Sequence, residues 1–301
     1  MSPSEKLISI VIPTYNYGHL LARALASVVG QIAGDVEILV INDGSTDNTE
    51  LVLAEQLRRY PFIKVVSQQN AGAAAARNHG IRQARGRYAL LLDADDELTP
   101  GAIEELRRIV SAKPDTAMVL GAQISVFPDG RERQHSPTQV PVASPAVLAR
   151  RYLLQKQISI SHCCSLFRRD LLLQRPYPEQ LRTGEDIPVF AFLLISGATV
   201  TTEKVLARIH KHPCSQRHSR GSEEDYALEM VNEVFATLPE ECQKLRRRYA
   251  AQRYLSLFRA ALSAGDRLYA RHYLRTALRL SPLQAMRATY IRKAFRLYMG
   301  V

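Results

Sequence analysis

Three times before residue 85 the chain repeats one pattern: a short apolar run, a polar turn, then a stretch of helical periodicity. Leu7 to Ile12 leads through Pro13-Thr14-Tyr15-Asn16 to a helix expected over about His19 to Gln31. Glu37 to Ile41 leads through Asn42-Asp43-Gly44-Ser45 to one over Asn48 to Tyr60, and Ile63 to Val66 to one over Gly72 to Ala84. A fourth run, Tyr88 to Leu92, ends in Asp93-Ala94-Asp95-Asp96-Glu97. Continuous apolar runs suit strands buried on both faces, and strands alternating with helices predict right-handed crossovers and a mostly parallel, Rossmann-like sheet flanked by helices. In such sheets ligands bind beyond the carboxyl ends of the strands. The turns at Tyr15, Asp43 and Asp93 to Asp95 are therefore expected along one edge.

The carboxylates after Leu92 repel one another unless a cation or hydrogen-bond donors compensate them. Oxygen donors of this kind suit a hard divalent ion, Mg²⁺ or Mn²⁺. The other reading is a solvated acidic turn capping a helix that begins near Pro100. Neither a GxGxxG nor a GxxxxGK[ST] sequence is present, so a dinucleotide fold and P-loop hydrolysis are unsupported.

Later stretches are less regular. Met118 to Phe127 reads as a strand, Pro128-Asp129-Gly130 as a turn, 131–145 as a loop, Pro145 to Gln155 as a helix and Ile158 to Phe167 as a strand. Thr183-Gly184-Glu185-Asp186 opens an apolar helix to Ile195, where a helix dipole alone would favour acidic residues. The spacing of His210, His212 and Cys214 fits no structural zinc pattern. Cys163, Cys164, Cys214 and Cys242 lack the density of a disulfide scaffold, so free thiols in the cytoplasm are expected. No signal-peptide pattern opens the chain and no apolar run reaches the ~20 residues of a membrane span.

The net charge of +11 is concentrated at one end. From Lys244 onward fourteen Lys/Arg face the single Asp266, a local +13 that leaves about −2 for residues 1–243. Ala261 to Pro282 reads as one paired-helix unit of the tetratricopeptide type. Leu283 to Met299 mixes Tyr290, Phe295 and Tyr298 with Arg292, Lys293 and Arg296. Such a helix either lies on an anionic membrane surface or packs on its own domain with a solvated basic face. No nucleic-acid-binding motif accompanies it, so nucleic acid is not an expected partner.

The succession SIVIPTYNYG, EILVINDGSTDNT, NAGAAAARNHGI and ARGRYALLLDADDEL resembles the nucleotide-sugar domain of inverting glycosyltransferases of family two, which have the GT-A fold. The resemblance is strong over about residues 7–100, extends through Gly184-Glu185-Asp186 and His212-Pro213-Cys214-Ser215, and carries no specific signal beyond about 220. It implies a catalytic domain over 1–220 and a basic helical region over 221–301. It implies that Tyr15 and Asp43 hold the nucleobase in a pocket shaped by Pro13 and Thr14, and that Arg77 lies near base or phosphates. Asp93 would face the ribose or sugar, Asp95 would bind Mn²⁺ or Mg²⁺, and Asp96 extends the cluster. Asp186 matches the general base, with Glu185 beside it. His212 matches a residue that completes the metal shell, although Cys214 stands where the family has Gly. The implied reaction moves a hexosyl or N-acetylhexosaminyl group from a nucleotide sugar, a UDP-sugar first, to a hydroxyl of a polysaccharide or lipid-linked glycan. The implied location is cytoplasmic, with a peripheral position on the inner face of the membrane. Nucleotidyl transfer lacks the Gly-rich basic loop it would need. A non-catalytic nucleotide-sugar-binding or scaffold protein of the same fold is the alternative.

Overall fold

The computed structural model describes residues 6–211 and 223–299, so His212 and Cys214 lie outside the described residues. The first half alternates as its sequence dictates. Strands β1 (Lys6–Thr14), β2 (Val36–Asn42), β3 (Lys64–Ser67) and β4 (Gly86–Leu91) are separated by helices α1 (Gly18–Val29), α2 (Thr49–Arg59) and α3 (Ala73–Gln83). These strands pair in parallel in the order β3-β2-β1-β4. Ile8, Ile10 and Ile12 of β1 and Ile38 and Val40 of β2 are fully excluded from water, each such side chain contributing about 1.5–3 kcal/mol.

Beyond β4 come β5 (Glu97–Leu98), α4 (Ala102–Ala112), β6 (Thr116–Val126), β7 (Glu132–His135), α5 (Pro145–Ala149), β8 (Ser165–Arg168), α6 (Arg169–Gln174), α7 (Asp186–Ile195) and β9 (Ala198–His210). The full order is β3-β2-β1-β4-β8-β6-β9-β5, with β7 on β6. Antiparallel β8 joins the β3-to-β4 quartet to β6, and β6 pairs in parallel with β9, so most paired residues sit in parallel ladders. The strand expected over Ile158 to Phe167 is confined to β8. The polar Ser161-His162 stretch instead forms a turn, closed by the Ser165 N–H on the His162 carbonyl at 3.1 Å, and His162 and Cys163 are buried there. The loop expected over 131–145 contains β7.

The chain divides into two compact units. The first takes residues up to Val142 and from Ile158 through β9. The second takes Ala143–Gln157 together with the C-terminal helices, so a single cut near residue 220 misses the return of 143–157 to the helical unit. Those helices are α8 (Glu223–Ala236), α9 (Glu240–Gln243), α10 (Arg246–Ser263), α11 (Arg267–Leu280), α12 (Pro282–Ala285) and α13 (Ala288–Met299). Gly265, at φ +79°, makes the turn between α10 and α11, and Asp266 caps α11 by accepting the Tyr269 N–H at 3.1 Å. Tyr254, Phe258, Tyr273 and Leu274 form their shared core, to which α13 adds Leu297. The final helix, expected as one piece from Leu283, is broken before α13. It packs on its own unit through Leu297 while Ile291, Phe295, Tyr298 and Met299 stay exposed.

Candidate active site

The parallel strands deliver three turns to one edge. Strands β2, β1 and β4 are neighbours, with Thr14 beside Asn42 and Val11 beside Leu91, so Asp43, Tyr15 and Asp93 follow adjacent strand ends. The β1 and β2 turns are tied together. Asn16, at φ +57°, accepts the Thr46 N–H at 2.7 Å through its side chain, and its own N–H reaches Ser45 Oγ at 3.0 Å. Gly18 is needed beside them, because a Cβ there would stand 2.9 Å from the Thr49 backbone nitrogen. Tyr15 is 41 % exposed on this edge, whereas the Thr14 hydroxyl is buried and has no partner among the described residues. Asp43 is buried, and its carboxylate accepts from Gln68 Nε2 (2.8 Å) and from the N–H groups of Ala71 (2.9 Å) and Gly72 (2.8 Å). It therefore braces the segment entering α3.

The carboxylates after β4 do not cap α4. The N-cap of that helix is Gly101, and the side chain that reaches its first turn is Gln31, whose Oε1 accepts the Ile103 N–H at 3.4 Å. Burial instead alternates along the turn, with Asp93, Asp95 and Glu97 half-buried and Ala94, Asp96 and Leu98 buried. Strand β5 returns at once to pair with β9, which places His210 beside the turn. Asp96 accepts the His210 N–H at 2.8 Å and lies 3.0 Å from Cys163 Sγ. Burial, then the charges of Asp93 and Asp95, push the Asp96 carboxyl up to about 7. Burial, with Asp96 and Asp93, raises the Cys163 thiol, so Cys163 acts there as a proton-bearing donor. From α1, Arg23 reaches the Asp95 carbonyl at 2.6 Å and stands 3.4 Å from Glu97.

Arg77 joins this turn to the second acidic segment. From buried α3 it donates to Asp93 Oδ1 at 3.0 Å and to Glu185 Oε1 at 2.8 Å. Burial opposes both charges, yet the guanidinium holds the Asp93 carboxyl below the usual range, and the two carboxylates raise the Arg77 pKa. Gly184, at φ +71°, turns the chain into α7. Asp186, first residue of that helix, makes no ion pair among the described residues. Burial and the neighbouring Glu185 push its carboxyl up to about 6, against the pull of Arg77 and of the helix N–H groups. Of these two adjacent carboxylates, Glu185 is thus anchored to Arg77 and Asp186 is not.

Three neighbours of Arg77 were given no role by the sequence. The Tyr177 ring lies 5.8 Å under the guanidinium, and its hydroxyl is 3.0 Å from His162 Nε2. Asn78 grips the Tyr177 backbone from both sides, donating to its carbonyl and accepting its N–H at 2.8 Å each. Burial and Arg77 lower the His162 pKa to about 3, so it stays neutral. Only the adjacency of Asn78 to Arg77 in Ala76-Arg77-Asn78 hinted at a shared task.

Removing Arg77 should therefore cost stability as well as activity. Arg77→Met leaves Asp93 and Glu185 without their shared counter-charge. The expected loss is about 3 kcal/mol, at the low end for a broken buried pair because Asp93 is partly open to solvent. Urea unfolding at neutral pH measures it, and a loss under about 1 kcal/mol would remove the bridge from this account.

One group of side chains at this edge has ligand atoms close enough together to share a cation. Oxygens of Asp93 and Asp96 and the Cys163 sulfur lie within 4.8 Å of one another, with Asp95 between the two carboxylates in sequence. The family profile described as "Glycosyl transferase family 2" matches residues 9–175, more than half of the chain, and covers the β1 to β4 turns, Arg77 and the Asp93 cluster. The chain belongs to glycosyl transferase family 2. Among the relatives of this family 2 chain is the minor teichoic acid biosynthesis protein GgaB of Bacillus subtilis (strain 168). It is 29% identical over 184 residues, 59% of this chain and 20% of that protein. Another is a chondroitin synthase of Escherichia coli, 40% identical over 98 residues, 33% of this chain and 14% of that protein. The matched stretch is thus a fifth or less of either relative's length. The fold is that of S. aureus TarS 1-349, crystallised in complex with UDP-GlcNAc, at a TM-score of 0.71 and 20% identity over 98% of this chain and 91% of that one.

Proposed function

We propose that this family 2 chain transfers a sugar, hexosyl or N-acetylhexosaminyl, from a UDP-sugar to a hydroxyl of a polysaccharide or lipid-linked glycan, with inversion at the anomeric carbon. The observation that carries this reading is the Arg77 bridge, which fixes the Asp93 turn and the Glu185-Asp186 segment against one guanidinium. In this reading Asp186 takes the proton of the acceptor hydroxyl as its oxygen attacks the anomeric carbon. The bond from that carbon to the diphosphate breaks in the same displacement, and the nucleoside diphosphate leaves. A divalent cation, Mn²⁺ or Mg²⁺, supplies the positive charge that makes the diphosphate a better leaving group. Asp95 is the residue assigned to hold it, with His212 completing the shell, and Asp93 is assigned to the ribose or sugar. Tyr15, Asp43, Pro13 and Thr14 are assigned to the nucleobase.

The TarS crystals with UDP-GlcNAc and with UDP support the choice of nucleotide. The names of GgaB and the chondroitin synthases support a polysaccharide acceptor. No described helix is long and apolar enough to cross a membrane. A peripheral position at an anionic inner membrane surface, through the basic C-terminal helices, is the location proposed.

A thermal-shift panel of UDP-, GDP- and dTDP-sugars with Mn²⁺ tests the donor. A ligand at a hundred times its dissociation constant stabilises by about 2.7 kcal/mol. A rise in Tm with UDP-sugars and none with the others is expected, and a response confined to another nucleotide would overturn the choice of UDP.

A further inference from the structure

Within the helical unit a cavity of about 410 Å³ opens between the α10–α11 turn and α13. Leu262 and the buried Leu297 contribute apolar surface, Ser263 a hydroxyl, and three cations complete the lining: Arg267 at the start of α11, and Lys293 and Arg296 on α13. Lys293 and Arg296 are three residues apart and so share one side of their helix. None of the three forms an ion pair among the described residues. The one acidic residue of the turn, Asp266, is engaged by the Tyr269 N–H as the cap of α11. Three cations held around one concavity without a counter-charge repel one another, and an anion with several oxygens relieves that repulsion through charge-assisted hydrogen bonds.

We propose that this cavity is a binding site for a phosphate group, specifically the phosphate of a lipid headgroup. Arginine's planar fork suits two phosphate oxygens at once, Lys293 supplies a point charge and Ser263 a further donor. The lipid source rests on the apolar side chains that the same helices expose. Leu268, 78% exposed, follows Arg267, and Phe295, 61% exposed, precedes Arg296, with Tyr298 and Met299 beyond. Apolar side chains exposed to water on the helices that line a cationic cavity, one larger than a phosphate alone would fill, suit a ligand whose phosphate is joined to acyl chains. This site deepens the membrane reading given above and rests on it, replacing diffuse attraction to surface charge by recognition of one group.

The test uses the full-length chain and vesicles of neutral lipid carrying either phosphatidic acid or sulfatide at equal surface charge. The variant R267Q/K293Q/R296Q is compared with R275Q/R279Q/R287Q, which removes the same charge from exposed positions of the same unit outside the cavity. The expected result is preferential binding to phosphatidic acid, lost at least tenfold in the cavity variant and less than threefold in the other. Equal losses in the two variants, or equal binding to the two lipids, would overturn the cavity while leaving membrane attachment standing. Failure to bind any anionic vesicle would overturn both. Acetylation footprinting of the unaltered protein supplies a readout independent of any variant. Lys293 should be protected by phosphatidic acid vesicles and not by millimolar inorganic phosphate. Protection by free phosphate alone would assign the cavity to a soluble ligand and overturn the lipid source, and no protection by either would overturn the site.

Discussion

Asp186→Asn is expected to lower kcat by about 10²- to 10⁴-fold, the usual contribution of a general base, with donor affinity little changed. Asparagine keeps the size of the side chain and its place at the start of α7, but it cannot accept the acceptor's proton. The effect should be confined to turnover because Arg77 is bonded to Glu185 rather than to Asp186. The same assignment sets a pH dependence. With its carboxyl pushed up to about 6, Asp186 is protonated and inactive as a base below that value, so kcat should rise with pH through about 6 and then level off. The variant's residual rate should lack that limb. A loss of donor affinity equal to the loss of turnover would instead place Asp186 in the donor pocket.

Asp95→Asn is expected to abolish metal-dependent turnover at limiting Mn²⁺ and to leave the fold intact. The residue follows the strand end in a half-buried turn, outside the apolar core, so its replacement opens no cavity there. Turnover is expected to fall because an amide oxygen is a poorer ligand than a carboxylate for a hard cation. The turn should keep its shape, held by the Arg23 bond to the Asp95 carbonyl and by Asp96 on the His210 N–H. Steady-state rates across a Mn²⁺ titration, beside urea unfolding, measure both halves. Full activity at limiting Mn²⁺ would take Asp95 out of the metal site.

What the sequence made legible was local. A run such as Leu7 to Ile12 has to be buried on both faces, and that alone implies a covered parallel sheet whose strand ends share an edge. The acidic run after Leu92 stood out because carboxylates in such density need a compensating charge or donors, whereas Gly184-Glu185-Asp186, which a helix dipole alone would favour, stood out only through the family resemblance. Contacts between distant segments carry no local period. Nothing near Asn78 announces that it clamps the backbone of Tyr177, or that the ring so held lies against Arg77. Cys163 read only as a free thiol, and its place against Asp96 exists because the chain turns before β8. Residues 143–157 have an ordinary helical pattern, and no residue in them signals their place with the C-terminal helices. The break before α13 was likewise masked by amphipathic spacing that persists across it.

Nucleotide release tests the proposed transfer most directly. The purified chain, given a UDP-sugar, Mn²⁺ and a mixture of polysaccharide and lipid-linked glycan acceptors, should release UDP. That release should depend on acceptor, stop with chelator and fall by at least a hundredfold in Asp186→Asn, in line with loss of a general base. Donor binding without release under every acceptor condition would contradict the account and leave a non-catalytic nucleotide-sugar-binding protein of the same fold.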